Sequence, residues 1–147
     1  MQEIWSFEHS VDCHTPAEFA WMFWTDVRNW VLDADVASIE LDGPFAVGTN
    51  GVTHSKSAGR IEWRITEVKP GRAALEFPGP GVLATFEWTF EPLGNDTRIV
   101  QRARLTGEHA PAHVLNIARS LEAGIPAGMR KLCDAMEAVF RQSARPL

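Results

Sequence analysis

With 147 residues, the chain is sized for a single domain spanning 1–147, since folding at this length removes roughly 70% of the unfolded chain's surface and supports a core of its own. Hydrophobic residues make up 45% and charged residues 22%, proportions that exclude a disordered or disulfide-dense chain. Fourteen basic against 19 acidic residues leave a formal charge of -5, which argues against nucleic acid and anionic membrane surfaces as partners.

The opening Met1-Gln2-Glu3-Ile4-Trp5-Ser6 has no basic region followed by an apolar one. No window approaches the roughly 18 apolar residues of a membrane span, so a cytoplasmic protein is expected. Cys13 and Cys133 lie far apart, without CxxC or Cys/His spacing. Two reduced, partly buried thiols are therefore expected rather than a metal site or a disulfide, which would need an oxidising compartment.

Residues 3–12 alternate, with Trp5, Phe7, His9 and Val11 on one face and Ser6, Glu8, Ser10 and Asp12 on the other, the period of a half-buried strand. Thr15-Pro16-Ala17-Glu18 then reads as a helix start, Thr15 capping and Glu18 completing a capping box. This short helix runs to about Trp24. Thr25-Asp26 offers a second start for a brief helix over about 27–31. The pair is dense in aromatics: Phe19, Trp21, Phe23, Trp24 and Trp30.

Turn signals at Asp42-Gly43-Pro44, Pro70-Gly71, Pro78-Gly79-Pro80-Gly81 and Gly94-Asn95-Asp96 punctuate the middle of the chain. Six strands fit between them, at roughly 35–42, 48–55, 59–69, 72–78, 82–92 and 96–106, with connections short enough for an antiparallel meander. Beyond them, apolar residues from Val114 to Phe140 recur by threes and fours. They predict one amphipathic helix over about 111–143, kinked but continuous through Gly124 and Pro126.

Ala84, Phe86, Trp88 and Phe90 alternate with Thr85, Glu87, Thr89 and Glu91, so the first set faces inward. By the same rule Ile99, Gln101, Ala103 and Leu105 point inward, as do Ile61, Trp63 and Ile65, while Arg60, Arg64, Arg98, Arg102 and Arg104 join glutamates on a solvated outer face. His9 and Gln101 are then polar groups on an apolar face. Either neighbouring side chains or ordered water satisfy them, or a bound ligand does.

The strand, two-helix, six-strand, long-helix order resembles the START-like superfamily over essentially the whole chain, specifically the SRPBCC group with polyketide cyclase/dehydrase-like proteins. Two stretches carry the likeness: Trp30-Val31-Leu32-Asp33 through Ile39-Glu40-Leu41-Asp42-Gly43-Pro44 to Gly48-Thr49, and Ile61-Glu62-Trp63-Arg64-Ile65-Thr66-Glu67-Val68. The resemblance implies an α+β helix-grip fold, a seven-stranded curved antiparallel sheet around the long C-terminal helix with two short helices after the first strand. It also implies a cavity for a small hydrophobic molecule, polyketide-, aromatic- or lipid-like. Members include ligand carriers, cyclases, dehydratases and chaperone activators, so the fold leaves function open. Monomer and homodimer are both compatible with it.

The expected cavity wall consists of Trp30 from the second short helix, with Ile39, Trp63, Phe86, Trp88, Gln101 and Ala103 from the strands. The long helix contributes Ile117, Leu121 and Ile125. No dinucleotide, nucleotide, zinc-protease, serine-hydrolase or calcium motif occurs, and no cofactor or metal is implied. His109 and His113 lie four apart beside Glu108, but two imidazoles at a loop-to-helix junction fall short of a metal site. Cys13 and His14 are adjacent on a strand and point apart, which defeats nucleophile activation. Catalysis, if present, would be cyclisation or dehydration, with His9 exchanging a proton and Gln101 donating to an oxyanion. The absence of an acid/base pair favours carriage over turnover. An interaction module of the chaperone-activator type predicts instead a filled interior and an exposed apolar patch around Trp21 or Trp24.

Overall fold

The computed structural model describes residues 2–32, 36–107 and 111–144. Strand β1 (Gln2–Cys13) leads into helix α1 (Ala17–Thr25) and a 3-10 helix (Val27–Leu32). Six strands follow: β2 (Val36–Leu41), β3 (Asn50–Ser55), β4 (Gly59–Lys69), β5 (Arg72–Gly79), β6 (Val82–Leu93) and β7 (Asp96–Gly107). Helix α2 (Pro111–Ala144) closes the chain, continuous through Pro126. The seven strands form one antiparallel sheet in the order β1-β7-β6-β5-β4-β3-β2. β2 to β7 are thus a meander, and β1 returns to pair with the last strand, giving the helix-grip arrangement. Register shifts at Glu3/Trp5, Val36/Ser38 and Ile65/Glu67 mark irregularities that bend the sheet around its contents.

The inward faces follow the alternation. Ile99, Gln101, Ala103 and Leu105 of β7 are buried, as are Trp63 and Ile65 of β4 and Phe90 of β6. The outer face is laced with ion pairs, Arg104 to Glu87 at 2.6 Å, Arg98 to Asp12 at 2.9 Å and Arg102 to Glu3 at 3.5 Å. Its arginines are therefore a charge-balanced convex surface.

Two packed regions lie under the sheet. One joins Val11, Ala20, Trp24, Phe90 and Ile99 to Met129, Leu132 and Met136 of α2, and the other joins Trp63, Ile65 and Leu75. The second depends on Gly51. A Cβ there would stand within 2.6 Å of three Trp63 ring atoms, because the indole lies flat over the glycine that pairs with it across β3 and β4. Gly51→Ala is expected to destabilise the fold by about 1–3 kcal/mol through overpacking, read as a lower urea midpoint at unchanged slope.

Two expectations are corrected. Thr15 does not cap α1: the N-cap position falls on Pro16, with no side-chain bond to the first turn. Thr15 is instead fully buried against β7, where its carbonyl accepts a hydrogen bond from Thr97 Oγ1 at 2.7 Å. Its hydroxyl is buried without a hydrogen-bond partner among the described residues. The cysteines are not two reduced thiols either. Cys13 and Cys133 are joined in a disulfide, with Cα atoms 5.6 Å apart and both residues fully buried. The end of β1 runs under α2, and that crossing brings together residues that sequence spacing could not relate.

Candidate ligand-binding site

Helix α2 packs chiefly against β1, so the sheet's inner face is covered at one edge and left open towards β5, β6 and β7. α1 and the 3-10 helix fold over the open end, directed by their aromatics. Trp24 is only 2% exposed. It sits within ring contact of Trp21, Trp30, Phe45, Trp88 and Phe90, at centroid separations from 5.0 to 5.8 Å. Trp30 Nε1 donates to the Trp24 carbonyl at 2.6 Å, Trp63 Nε1 to Thr53 Oγ1 at 2.9 Å and Trp5 Nε1 to Glu122 Oε1 at 3.2 Å.

Between this aromatic cap, the sheet and α2 lies a cavity of about 600 Å³, within the size range of small-molecule sites. Trp24, Asn29 and Trp30 form its cap side, Leu75, Phe77, Ala84, Phe86, Trp88 and Gln101 its sheet side. α2 contributes Ile117, Leu121, Gly124, Ile125, Ala127, Gly128, Met129, Lys131 and Leu132. Trp30, Phe86, Trp88, Gln101, Ile117, Leu121 and Ile125 are thus brought together on the lining, the strand and long-helix residues among them in the directions that alternation and helix period predict.

Three expected lining residues are elsewhere. Trp63 lies behind the wall, stacked on Trp30 at 5.4 Å and on Phe77 at 5.8 Å, so it buttresses two lining rings without reaching the space itself. Ile39, on β2 at the far edge of the sheet, packs into the same region as Trp63. Ala103 is buried between its register partners Phe7 and Phe86. His9 stands opposite Gln101 across β1 and β7, half-buried on the strand that α2 covers. It is not part of the cavity lining, because the helix lies over that edge of the sheet.

Gln101 is only 7% exposed; its amide borders the cavity and is not among the fully enclosed, unpartnered side-chain polar atoms of the described residues, which are Thr15 Oγ1 and Arg104 Nε. Asn29, also on the lining, is tied by its Nδ2 to the Phe23 carbonyl at 2.8 Å. Lys131 is the one charged lining residue among those described. The carboxyls with displaced titration lie elsewhere: a bond from Arg98 holds Asp12 below the usual carboxylate range, and one from Arg28 does the same for Asp26. No group of three metal-ligating side chains occurs among the described residues, while Glu108 and His109 lie outside them.

Sequence reasoning missed Trp24, Leu75, Phe77 and the small residues of α2. Ala20 and Trp24 are spaced i, i+4 and are the two buried residues of α1, a signal that was present. The expected exposed patch at Trp21 and Trp24 is not found, since Trp24 is buried and Trp21 is half-buried against Trp24, Phe45 and Phe90.

A family model described as polyketide cyclase / dehydrase and lipid transport matches residues 5–141. The chain belongs to that family. Among solved structures, norcoclaurine synthase from Thalictrum flavum superposes with a TM-score of 0.73 at 13% identity, over 94% of this chain and 87% of that one. The Zhui aromatase/cyclase from Streptomyces sp. R1128 gives 0.71 at 18% identity, over 96% of each chain. The di-domain ARO/CYC BexL gives 0.77 at 16% identity over 93% of this chain, which spans 48% of that longer protein. These likenesses place the chain within the helix-grip fold of this polyketide cyclase/dehydrase family. No curated protein matches the sequence. No helix among the described residues is long and apolar enough to cross a membrane.

Proposed function

We propose that the protein binds a small, flat, mainly apolar molecule of polyketide or aromatic type in its internal cavity. The observation that carries this reading is the cavity's wall of Trp24, Trp30, Phe77, Phe86 and Trp88, broken on the sheet side by the largely buried amide of Gln101. The amide borders the cavity, so it can exchange hydrogen bonds with whatever occupies that space, and a ligand hydroxyl or carbonyl placed there finds a fixed polar partner in an otherwise apolar wall. The aromatic wall suits rings, which gain from offset or edge contacts beyond simple area burial.

The lining supplies little for proton transfer. Its one titratable residue among those described is Lys131, and His9 lies under α2, so the arrangement favours holding over turning over. Cyclisation or dehydration would rest on folding a flexible carbonyl-rich chain against the rings, with Gln101 donating to a developing oxyanion. The family's description supports that second activity.

Native mass spectra after exposure to polycyclic aromatics, fatty acids and isoprenoid quinones test the reading, followed by tryptophan fluorescence. One equivalent of an aromatic ligand with quenching is expected. No binding across the panel would overturn it. Loss of one water from the bound species would establish dehydration, a changed absorbance spectrum at unchanged mass would establish cyclisation, and a ligand recovered unchanged in both would establish carriage. Gln101→Leu sharpens the test. It is expected to leave unfolding stability within about 1 kcal/mol and to weaken hydroxylated ligands about tenfold against their hydrocarbon parents. A loss of stability instead would mean that Gln101 has a structural role.

A further inference from the structure

Four residues of α2, Gly124, Ala127, Gly128 and Lys131, line the cavity and are also exposed. They mark where the cavity opens. Their spacing by three, four and seven sets them on one flank of the helix, beside Ile125, Met129 and Leu132, which are buried in its core-facing stripe. A Cβ placed on Gly124 or Gly128 meets nothing within 4 Å. The mouth is therefore a strip of nearly bare helix backbone, with the ammonium of Lys131 at one end.

Lys131 forms no ion pair among the described residues, whereas its neighbour Arg130 reaches Asp134 at 3.9 Å. No carboxylate stands among the described lining residues. In a chain with a net charge of -5, whose general field repels anions, an unpaired cation at the rim of an apolar cavity supplies a local attraction for one. A charge-assisted hydrogen bond there is shielded from water on its cavity side and is stronger for it.

Resting on the reading that the cavity binds an aromatic or polyketide-like molecule, we infer that this molecule is an acid, with its carboxylate at Lys131 in the mouth and a hydroxyl or carbonyl at its buried end on Gln101. The rings lie between these two polar ends, against Trp30, Phe86 and Trp88.

The test compares 6-hydroxy-2-naphthoic acid with 6-hydroxy-2-naphthamide, a neutral isostere, by tryptophan fluorescence titration at low ionic strength. The acid is expected to bind at least tenfold more tightly. Lys131→Met should reduce that preference to below twofold, with the acid losing more affinity than the amide, and Lys131→Arg should keep it. Thermal melting of each variant checks the fold, which an exposed side chain is not expected to disturb. Equal binding of acid and amide to the unaltered protein would overturn the assignment and leave the cavity reading standing, as would a preference that survives Lys131→Met. Absence of binding by both probes and by the wider panel would overturn the two together.

Discussion

Removing the Cys13–Cys133 bond is expected to produce the largest loss of stability of any small change to this chain. The bond closes a loop of 120 residues. In the chain-entropy model a loop of that length restricts the unfolded state by about 5 kcal/mol, although measured values commonly fall at about 2–4 kcal/mol. Since marginal domains have about 5–15 kcal/mol in all, the effect reaches a large share of the total. Both residues are fully buried, so a Cys13→Ala/Cys133→Ala double variant loses sulfur packing as well as the cross-link, whereas the dithiothreitol-reduced protein keeps both sulfurs and reports the cross-link. Urea unfolding should give a high midpoint for the oxidised protein, a lower one for the reduced protein and one at or below that for the double variant. Identical midpoints for all three would sink the prediction. In a reducing compartment the pair would stay as two thiols, and the protein would work at the lower stability.

That cross-link shows where sequence reading stops. Alternation located the inner faces of β6 and β7, because each strand has one polar and one apolar set, and that placed Phe86, Trp88 and Gln101 correctly on the cavity wall. The helix period did the same for Ile117, Leu121 and Ile125. The pairing of Cys13 with Cys133 depends instead on how the end of β1 crosses α2, which no local period encodes. β5 hid its contribution for a different reason. Ala73, Ala74 and Leu75 are all buried, so the strand reads as a continuous apolar run whose inner face cannot be chosen by period, and Leu75 and Phe77 were missed. Trp63 shows the converse limit: its inward direction was legible, but whether it touched the cavity depended on Trp30 and Phe77 standing in front of it. Gly124, Ala127 and Gly128 carry no side-chain signal beyond their smallness. What they leave open is visible only once the sheet and the cap are in place.

Filling that gap is expected to abolish ligand binding without harming the fold. Gly124 and Gly128 each cost an α-helix about 1 kcal/mol relative to alanine, and Pro126 between them about 3 kcal/mol. α2 thus concentrates its worst helix formers in little more than one turn, at the mouth of the cavity. Local propensity set against the fold in this way is expected at functional positions. In Gly128→Phe the new side chain would leave the helix into open space and lean back towards the preceding turn, across the strip beside Gly124. It should improve helix propensity by a few tenths of a kcal/mol and bury part of its ring against Trp30 or Leu121. The melting temperature is therefore expected to hold or rise, while affinity for a bicyclic aromatic falls by at least a hundredfold. Calorimetry and fluorescence titration on the same sample give both numbers. A sharp fall in melting temperature would mean that the space beside Gly128 is already filled by packed side chains, and unchanged affinity at an unchanged melting temperature would mean that ligands reach the interior by another route. Lost binding in a fully stable protein is the outcome that separates an open, functional cavity from a core.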